Sequence, residues 1–216
     1  MVELKRNLII FLAHIDDVEL SCLSYVFKKY KEYDEINFYI ATKWMPKEKL
    51  WNQNIEKIKS RCEGLKINYL NLEYEQRTLM TKFDDLKDKF YSQINFSKYT
   101  KIDILTHDLE DCHTDHVAVA MISKGLFKYT DKYITVYSPS TTNFKPNLWI
   151  DLSKEDYAIK KEMCDVYNIN NEQSYTNLGY YLQSESHYNI GRVYEIENFA
   201  IVSSNHSECF KILKWR

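Results

Sequence analysis

Leu8-Ile9-Ile10-Phe11-Leu12 runs directly into Ala13-His14-Ile15-Asp16-Asp17-Val18-Glu19. The first five residues are apolar without interruption, the pattern of a strand buried on both faces of a parallel sheet. The residues that follow switch at once to a histidine and two adjacent carboxylates. The same switch recurs far downstream. There the apolar run from Ile102 to Leu105 leads through Thr106-His107 to His113-Thr114-Asp115-His116. If the two strands are neighbours in one parallel sheet, both polar segments leave it at the same edge.

Outward from these runs, strands alternate with helices. Glu19 to Tyr30 has helical periodicity, with Leu20, Leu23, Val26 and Phe27 on one face. Ile36 to Ile40 reads as a strand, and Lys47 to Leu65 as a helix with Gly64 suited to its C-terminal cap. Ile67 to Leu70 is a short strand, Lys82 to Ile94 a charged amphipathic helix, Asp115 to Tyr129 a helix and Ile134 to Tyr137 a strand. This alternation predicts an α/β fold: a Rossmann-like, mostly parallel sheet flanked by helices. Ligands in such sheets bind beyond the carboxyl ends of the strands, where both histidine segments fall. After Tyr137 come a polar loop from Ser138 to Pro146, a strand from Asn147 to Leu152, and a helix from Ser153 to Tyr167 with Ser153 as N-cap. A tyrosine-rich stretch and a last strand, Phe199 to Val202, follow. There is no internal repeat and no clear boundary. Residues 1–216 read as one domain, with about 138–216 as its more variable, substrate-shaping part.

Composition narrows the function classes. The chain carries 29 Lys and Arg against 31 Asp and Glu, a net charge of −2, and no basic block. That argues against nucleic acid as a partner. Five cysteines with no Cys-x-x-Cys fit reduced thiols rather than a disulfide scaffold or zinc ribbon. The apolar run near the start is too short for a signal-peptide core, and no run approaches the about 20 residues that span a bilayer. A cytoplasmic protein without an integral membrane segment is expected. A homo-oligomer is compatible with the sequence, although no stripe identifies an interface.

The two polar segments hold a complete set of hydrolytic groups. His14 and Asp17 are three residues apart, a spacing that converges if a helical turn begins there. His116 adds a third ligand from the other loop. Two histidines and a carboxylate leave coordination positions open for water, the pattern of a catalytic zinc site. Asp16, the neighbouring carboxylate, is then available as a general base. His113 lies one helical turn before His116 and is suited to stabilising an oxyanion or protonating a leaving group. Asp115 is suited to orienting a histidine. Asp16, His113 and Asp115 form the expected catalytic set, and His14, Asp17 and His116 the expected metal set.

On these motifs the chain resembles the LmbE-like, or PIG-L, zinc-dependent N-deacetylases. The first signature of that family is Ala-His-Pro-Asp-Asp-x-Glu, read here as Ala13-His14-Ile15-Asp16-Asp17-Val18-Glu19. The second is His-x-Asp-His, read as His113-Thr114-Asp115-His116, with Thr106-His107 and Asp111 similar to its lead-in. Weaker echoes are Ile150-Asp151-Leu152-Ser153 and Glu197-Asn198-Phe199. The resemblance implies one Zn2+ per chain on His14, Asp17 and His116, with Fe2+ as the alternative metal. It also implies Asp16 as base and His113 as catalytic histidine. The implied substrate is a small acetamido-sugar, free, nucleotide-linked or conjugated, and the implied products are acetate and a free amine. Two positions depart from the pattern. Ile15 stands in place of proline, so packing must hold the loop instead of a ring. Gln53-Asn54-Ile55-Glu56 keeps the acid of an Arg-x-x-Glu pair and lacks the arginine.

Other readings compete. Asp16 or Thr114 can simply cap helices, and Glu19 fits structural support in a first helical turn. His107 is as well explained by a backbone partner as by substrate contact. Cys112 reads as loop packing, and His187 and His206 as surface residues. At the level of function, the same fold can serve a non-catalytic sugar- or nucleotide-binding module. A phosphoesterase is a further alternative, although such sites often use two metals and more carboxylates.

Overall fold

The fold is that of a computed structural model, which describes residues 5–43, 48–138, 140–165 and 207–215. The strands are β1 (Arg6–Leu12), β2 (Glu35–Thr42), β3 (Lys66–Tyr74), β4 (Lys101–His107), β5 (Lys132–Val136), β6 (Leu148–Asp151) and β7 (Ser207–Trp215). They form one sheet in the order β3-β2-β1-β4-β5-β7-β6. The first five in that order are parallel to their neighbours. β7 runs antiparallel to both β5 and β6. The α/β class and mostly parallel sheet expected from the sequence are therefore present. β1 and β4 are direct neighbours, with Ile10 opposite Leu105 and Phe11 opposite Thr106. That adjacency brings the two polar segments together.

The apolar run of β1 divides between two cores. Leu8, Ile10 and Leu12 face one and Ile9, Phe11 and Ala13 the other, as the period of two requires. The first core is closed by α2 (Leu23–Lys29), α3 (Glu48–Arg61) and α6 (Lys154–Asp165) through Leu23, Val26, Phe27, Trp51, Ile55, Ile58 and Met163. The second is closed by α4 (Phe83–Ser92) and α5 (Thr114–Lys124) through Leu86, Phe90, Ala118, Val119 and Ile122. Phe11 stacks on Phe90 at 3.8 Å. No helix among the described residues is long and apolar enough to cross a membrane.

Some boundaries differ from the sequence reading. The helix expected from Glu19 to Tyr30 is two helices, α1 (Asp17–Ser21) and α2, separated at Cys22. The helix expected to reach Tyr129 ends at Lys124, and Phe127–Tyr129 is a separate 3-10 turn. β3 continues four residues past Leu70, and Leu72 is buried in the second core. Ser153 caps as expected, its Oγ accepting the Asp156 N–H at 3.0 Å. β7 was not anticipated. Phe199 to Val202, the tyrosine-rich stretch from Tyr167 to Tyr194, Glu197, His187 and His206 lie outside the described residues.

Candidate metal centre

Between β1 and α1 the chain makes one tight turn. The Asp17 N–H reaches the His14 carbonyl at 3.3 Å, and the His14 N–H donates to Asp17 Oδ2 at 2.7 Å. Thr42 fixes the start of the turn by donating its Oγ1 hydrogen to the Ala13 carbonyl at 2.8 Å. Ile15 is fully buried in the first core, so apolar packing anchors the loop where a proline ring would have fixed φ. Across the sheet, His107 ends β4. Its Nε2 lies 3.1 Å from both the Ala13 nitrogen and Asp17 Oδ2; it accepts the Ala13 N–H in one tautomer and donates to Asp17 in the other.

His14, Asp17 and His116 converge. His14 Nδ1 is 3.2 Å from His116 Nε2, His14 Nδ1 is 3.5 Å from Asp17 Oδ2, and His116 Nε2 is 3.5 Å from Asp17 Oδ1. A tetrahedral site with metal–ligand distances of about 2.0–2.2 Å sets its ligand atoms about 3.3–3.6 Å apart. The contacts of His14 and His116 fall on different oxygens of Asp17, and the groups whose single ligand atoms all lie within 4.8 Å of one another are His14 with His113 and His116, and Asp17 with His107 and His116. His116 belongs to both.

The far side of each histidine decides its proton. His14 Nε2 faces Asp115 Oδ2 at 3.3 Å, and His116 Nδ1 faces Asp111 Oδ2 at 2.9 Å. A carboxylate on the outer nitrogen holds the ring proton there and leaves a lone pair on the inner one. Two nitrogens 3.2 Å apart beside the Asp17 carboxylate can share a proton, one ring donating to the other, or can both turn lone pairs toward a cation. The donor set of nitrogen and oxygen fits zinc. The electrostatics agree. Burial opposes charge on His14, yet Asp115 and Asp17 hold its pKa up to about 10, so without a metal a proton fills the same need. Burial also works against ionised Asp17, but His116 and His107 keep it well below the usual carboxylate range.

Asp16 and His113 flank this centre. Asp16 is 5% exposed and stands at the N-cap of α1, but its side chain makes no capping hydrogen bond. The capping role weighed for it is therefore absent. His113 caps α5 instead, its Nδ1 accepting the Asp115 N–H at 3.2 Å. In the neutral ring this leaves the proton on Nε2. Burial, His116 and His14 together lower the His113 pKa and favour that neutral form. Its ring stacks on His116 at 4.6 Å and meets His14 edge-on at 4.8 Å.

Sequence reasoning did not assign roles to several neighbours. Asp111 receives the His113 N–H at 2.8 Å and the hydroxyls of Ser138 and Ser140, each at 2.5 Å, in addition to His116. Asp115 accepts the Arg77 and Leu79 N–H groups at 2.6 and 3.3 Å, so the loop after β3 also closes on the site. The signal for Asp111 was its place five residues before His116; nothing in the spacing marked Ser138 and Ser140. Glu19 is fully buried and accepts from Asn54 Nδ2 at 2.7 Å, which ties α1 to α3. Cys112, read as loop packing, is exposed.

No protein-family model matches the chain, and no curated protein sequence matches it. Solved structures do. N,N'-diacetylchitobiose deacetylase from Pyrococcus horikoshii superposes with a TM-score of 0.63 at 13% identity, covering 96% of this chain and 83% of that one. The zinc-inhibited form of teicoplanin deacetylase Orf2 gives 0.63 at 10% identity, covering 95% and 97%. The chain has the fold of the LmbE/PIG-L-type deacetylases. GalB, the 4-carboxy-2-hydroxymuconate hydratase from Pseudomonas putida KT2440, shares it with a TM-score of 0.58 at 13% identity, covering 99% and 98%.

Within this deacetylase fold, Gln53 and Glu56 are exposed on α3, and Glu56 pairs with Lys59 at 2.7 Å. The buried polar residue of that helix segment is Asn54, on Glu19 and the Met163 carbonyl. The Gln53–Glu56 departure therefore falls on a surface face.

Proposed function

We propose that the protein is a metal-dependent N-deacetylase acting on an acetamido-sugar. The observation that carries this reading is the facing pair His14 Nδ1 and His116 Nε2, 3.2 Å apart, each held by a carboxylate on its other nitrogen. His14, Asp17 and His116 would hold one zinc ion. When bound, zinc polarises a carbonyl and lowers the pKa of water to about 7.

The chain's own residues divide the remaining work. Asp16 accepts the proton of the attacking water. The Nε2–H of His113 donates to the oxygen of the amide carbonyl as negative charge develops on it. The C–N bond breaks, the nitrogen leaves as the amine with a proton delivered by Asp16 or His113, and the acyl group leaves as acetate. Asp115 and Asp111 keep the two ligand histidines in the required tautomers. Two solved deacetylases with the same fold, one acting on diacetylchitobiose by its name, favour an acetylated amino sugar as substrate.

A hydratase with the same fold favours a second reading, in which the same groups add water to a double bond. The two part on their products. Zinc-loaded protein incubated with a panel of acetamido-sugars should release acetate and a free amine in equal amounts. Release of neither, from any member of a broad panel, would overturn the deacetylase reading.

A further inference from the structure

α1 and α2 are one helix interrupted once. α1 stops at Ser21 and α2 starts at Leu23, with Cys22 between them at φ −144° and ψ 6°. In an uninterrupted helix the Ser24 N–H donates to the Leu20 carbonyl, four residues back. Here the Ser24 N–H donates to Glu208 Oε2 at 2.9 Å, and the Leu20 carbonyl accepts from Lys160 Nζ at 3.0 Å. Lys160 and Glu208 are themselves joined at 2.6 Å, and both side chains are 1% exposed. The Ser24 hydroxyl adds a further bond to Glu208 Oε2 at 2.6 Å. An ion pair from α6 and β7 thus spans the two groups of one helical step. A side chain inserted into the backbone ladder is a known cause of a sharp kink.

The position of this kink gives it meaning. α1 is only five residues long; Asp17 is its first residue and Asp16 precedes it. The direction in which α1 leaves the break acts on both carboxylates from the helix side, as Thr42 and Ile15 hold the turn from the strand side. Replacing a buried ion pair by apolar residues of similar volume is often neutral or stabilising, because desolvation offsets the attraction. Stability alone is thus a weak reason for a buried lysine and glutamate here. Their hydrogen bonds to opposite sides of the break specify a geometry that an apolar pair cannot.

We propose that Lys160 and Glu208 are positioning residues for the Asp16-Asp17 turn, setting the α1–α2 angle and thereby the metal site; this rests on the metal-centre reading above. The test compares wild type with Lys160→Met/Glu208→Leu, which removes both charges and keeps most of the volume. Zinc affinity is read by chelator competition, coordination by the visible spectrum of the cobalt-loaded protein, and folding by a cooperative melt. The double variant should stay folded, bind zinc at least tenfold more weakly and show an altered cobalt spectrum. Glu208→Gln keeps the shape and serves if the double variant does not fold; it should weaken zinc at least threefold, while Lys160→Arg, which keeps charge and donors, stays closer to wild type. A variant with unchanged zinc affinity and cobalt spectrum, altered only in its melting temperature, overturns the positioning role. A wild-type protein that binds neither metal overturns the metal centre itself.

Discussion

Asp111 holds His116 through Nδ1 at 2.9 Å while collecting the hydroxyls of Ser138 and Ser140. One carboxylate thereby couples a proposed metal ligand to the loop after β5. Outer partners of this kind are worth about 10–100-fold in metal affinity. Asp111→Asn should weaken zinc binding by that order, measured by chelator competition. Equal affinity in the variant would remove Asp111 from the metal's support.

Asp16 and His116 should separate on two measurements. Asp16→Asn keeps the size of the side chain and removes the base, so acetate release should fall by about 10²–10⁴-fold. Zinc content, measured by mass spectrometry of the native protein, should remain at one per chain. His116→Ala should lose both. An Asp16→Asn protein that retains full activity would end the base assignment.

His107 is fully buried, with Nε2 3.1 Å from the Ala13 nitrogen and from Asp17 Oδ2. Replacing it by phenylalanine removes the one hydrogen bond that Nε2 makes there, to the Ala13 N–H or to Asp17 according to the tautomer. A buried polar group left unpaired costs about 1–3 kcal/mol. His107→Phe should therefore lower the stability found by chemical denaturation by at least that much. A change under about 0.5 kcal/mol, the ordinary scatter of surface substitutions, would contradict the network.

Glu35 lies at the opposite end of the sheet. It accepts from Lys98 Nζ at 2.7 Å, Asn68 Nδ2 at 2.6 Å and Lys66 Nζ at 3.3 Å. Burial raises its pKa, but Lys98, Tyr99 and Lys66 outweigh it and leave the group depressed. A depressed carboxylate contributes stability above its unfolded pKa of about 4.3, and the contribution is lost as pH falls through the folded value. Denaturation midpoints for wild type should decline as pH drops below about 4.3, and Glu35→Gln should decline less over the same window. Parallel curves would show that the cluster carries no pH dependence.

The α/β class was legible because β1 is buried on both faces and therefore apolar at every position from Leu8 to Leu12. The six residues proposed for the site stood out for a different reason. Histidines and paired carboxylates just past a strand end are costly in a core and serve packing poorly. The break at Cys22 was not legible, since Leu20, Leu23, Val26 and Phe27 keep helical spacing across it and its cause sits in α6 and β7. β7 escaped notice because Lys211 and Lys214 interrupt its apolar pattern; the Lys211 ammonium reaches Asp108 at 3.4 Å and that of Lys214 the Phe127 carbonyl at 2.6 Å. Asp111 stood out only as part of the lead-in to the second motif, and its role was not legible because a carboxylate's role depends on which donors the fold delivers to it. Two of its donors come from residues 27 and 29 positions away.

The strand order places β7, the last in the chain, inside the sheet between β5 and β6. Among the described residues, β5 has a bare edge and β6 no partner in the sheet until residues 207–215 have been made. Both histidine segments are synthesised long before that. A ribosome-bound nascent chain would thus carry every proposed ligand while still lacking Glu208 and the strand that closes the sheet. Sheet edges left open in this way invite pairing with other chains. Synthesis of residues 207–215 is therefore also the step that covers these edges, and a chain lacking β7 should aggregate more readily than the intact one.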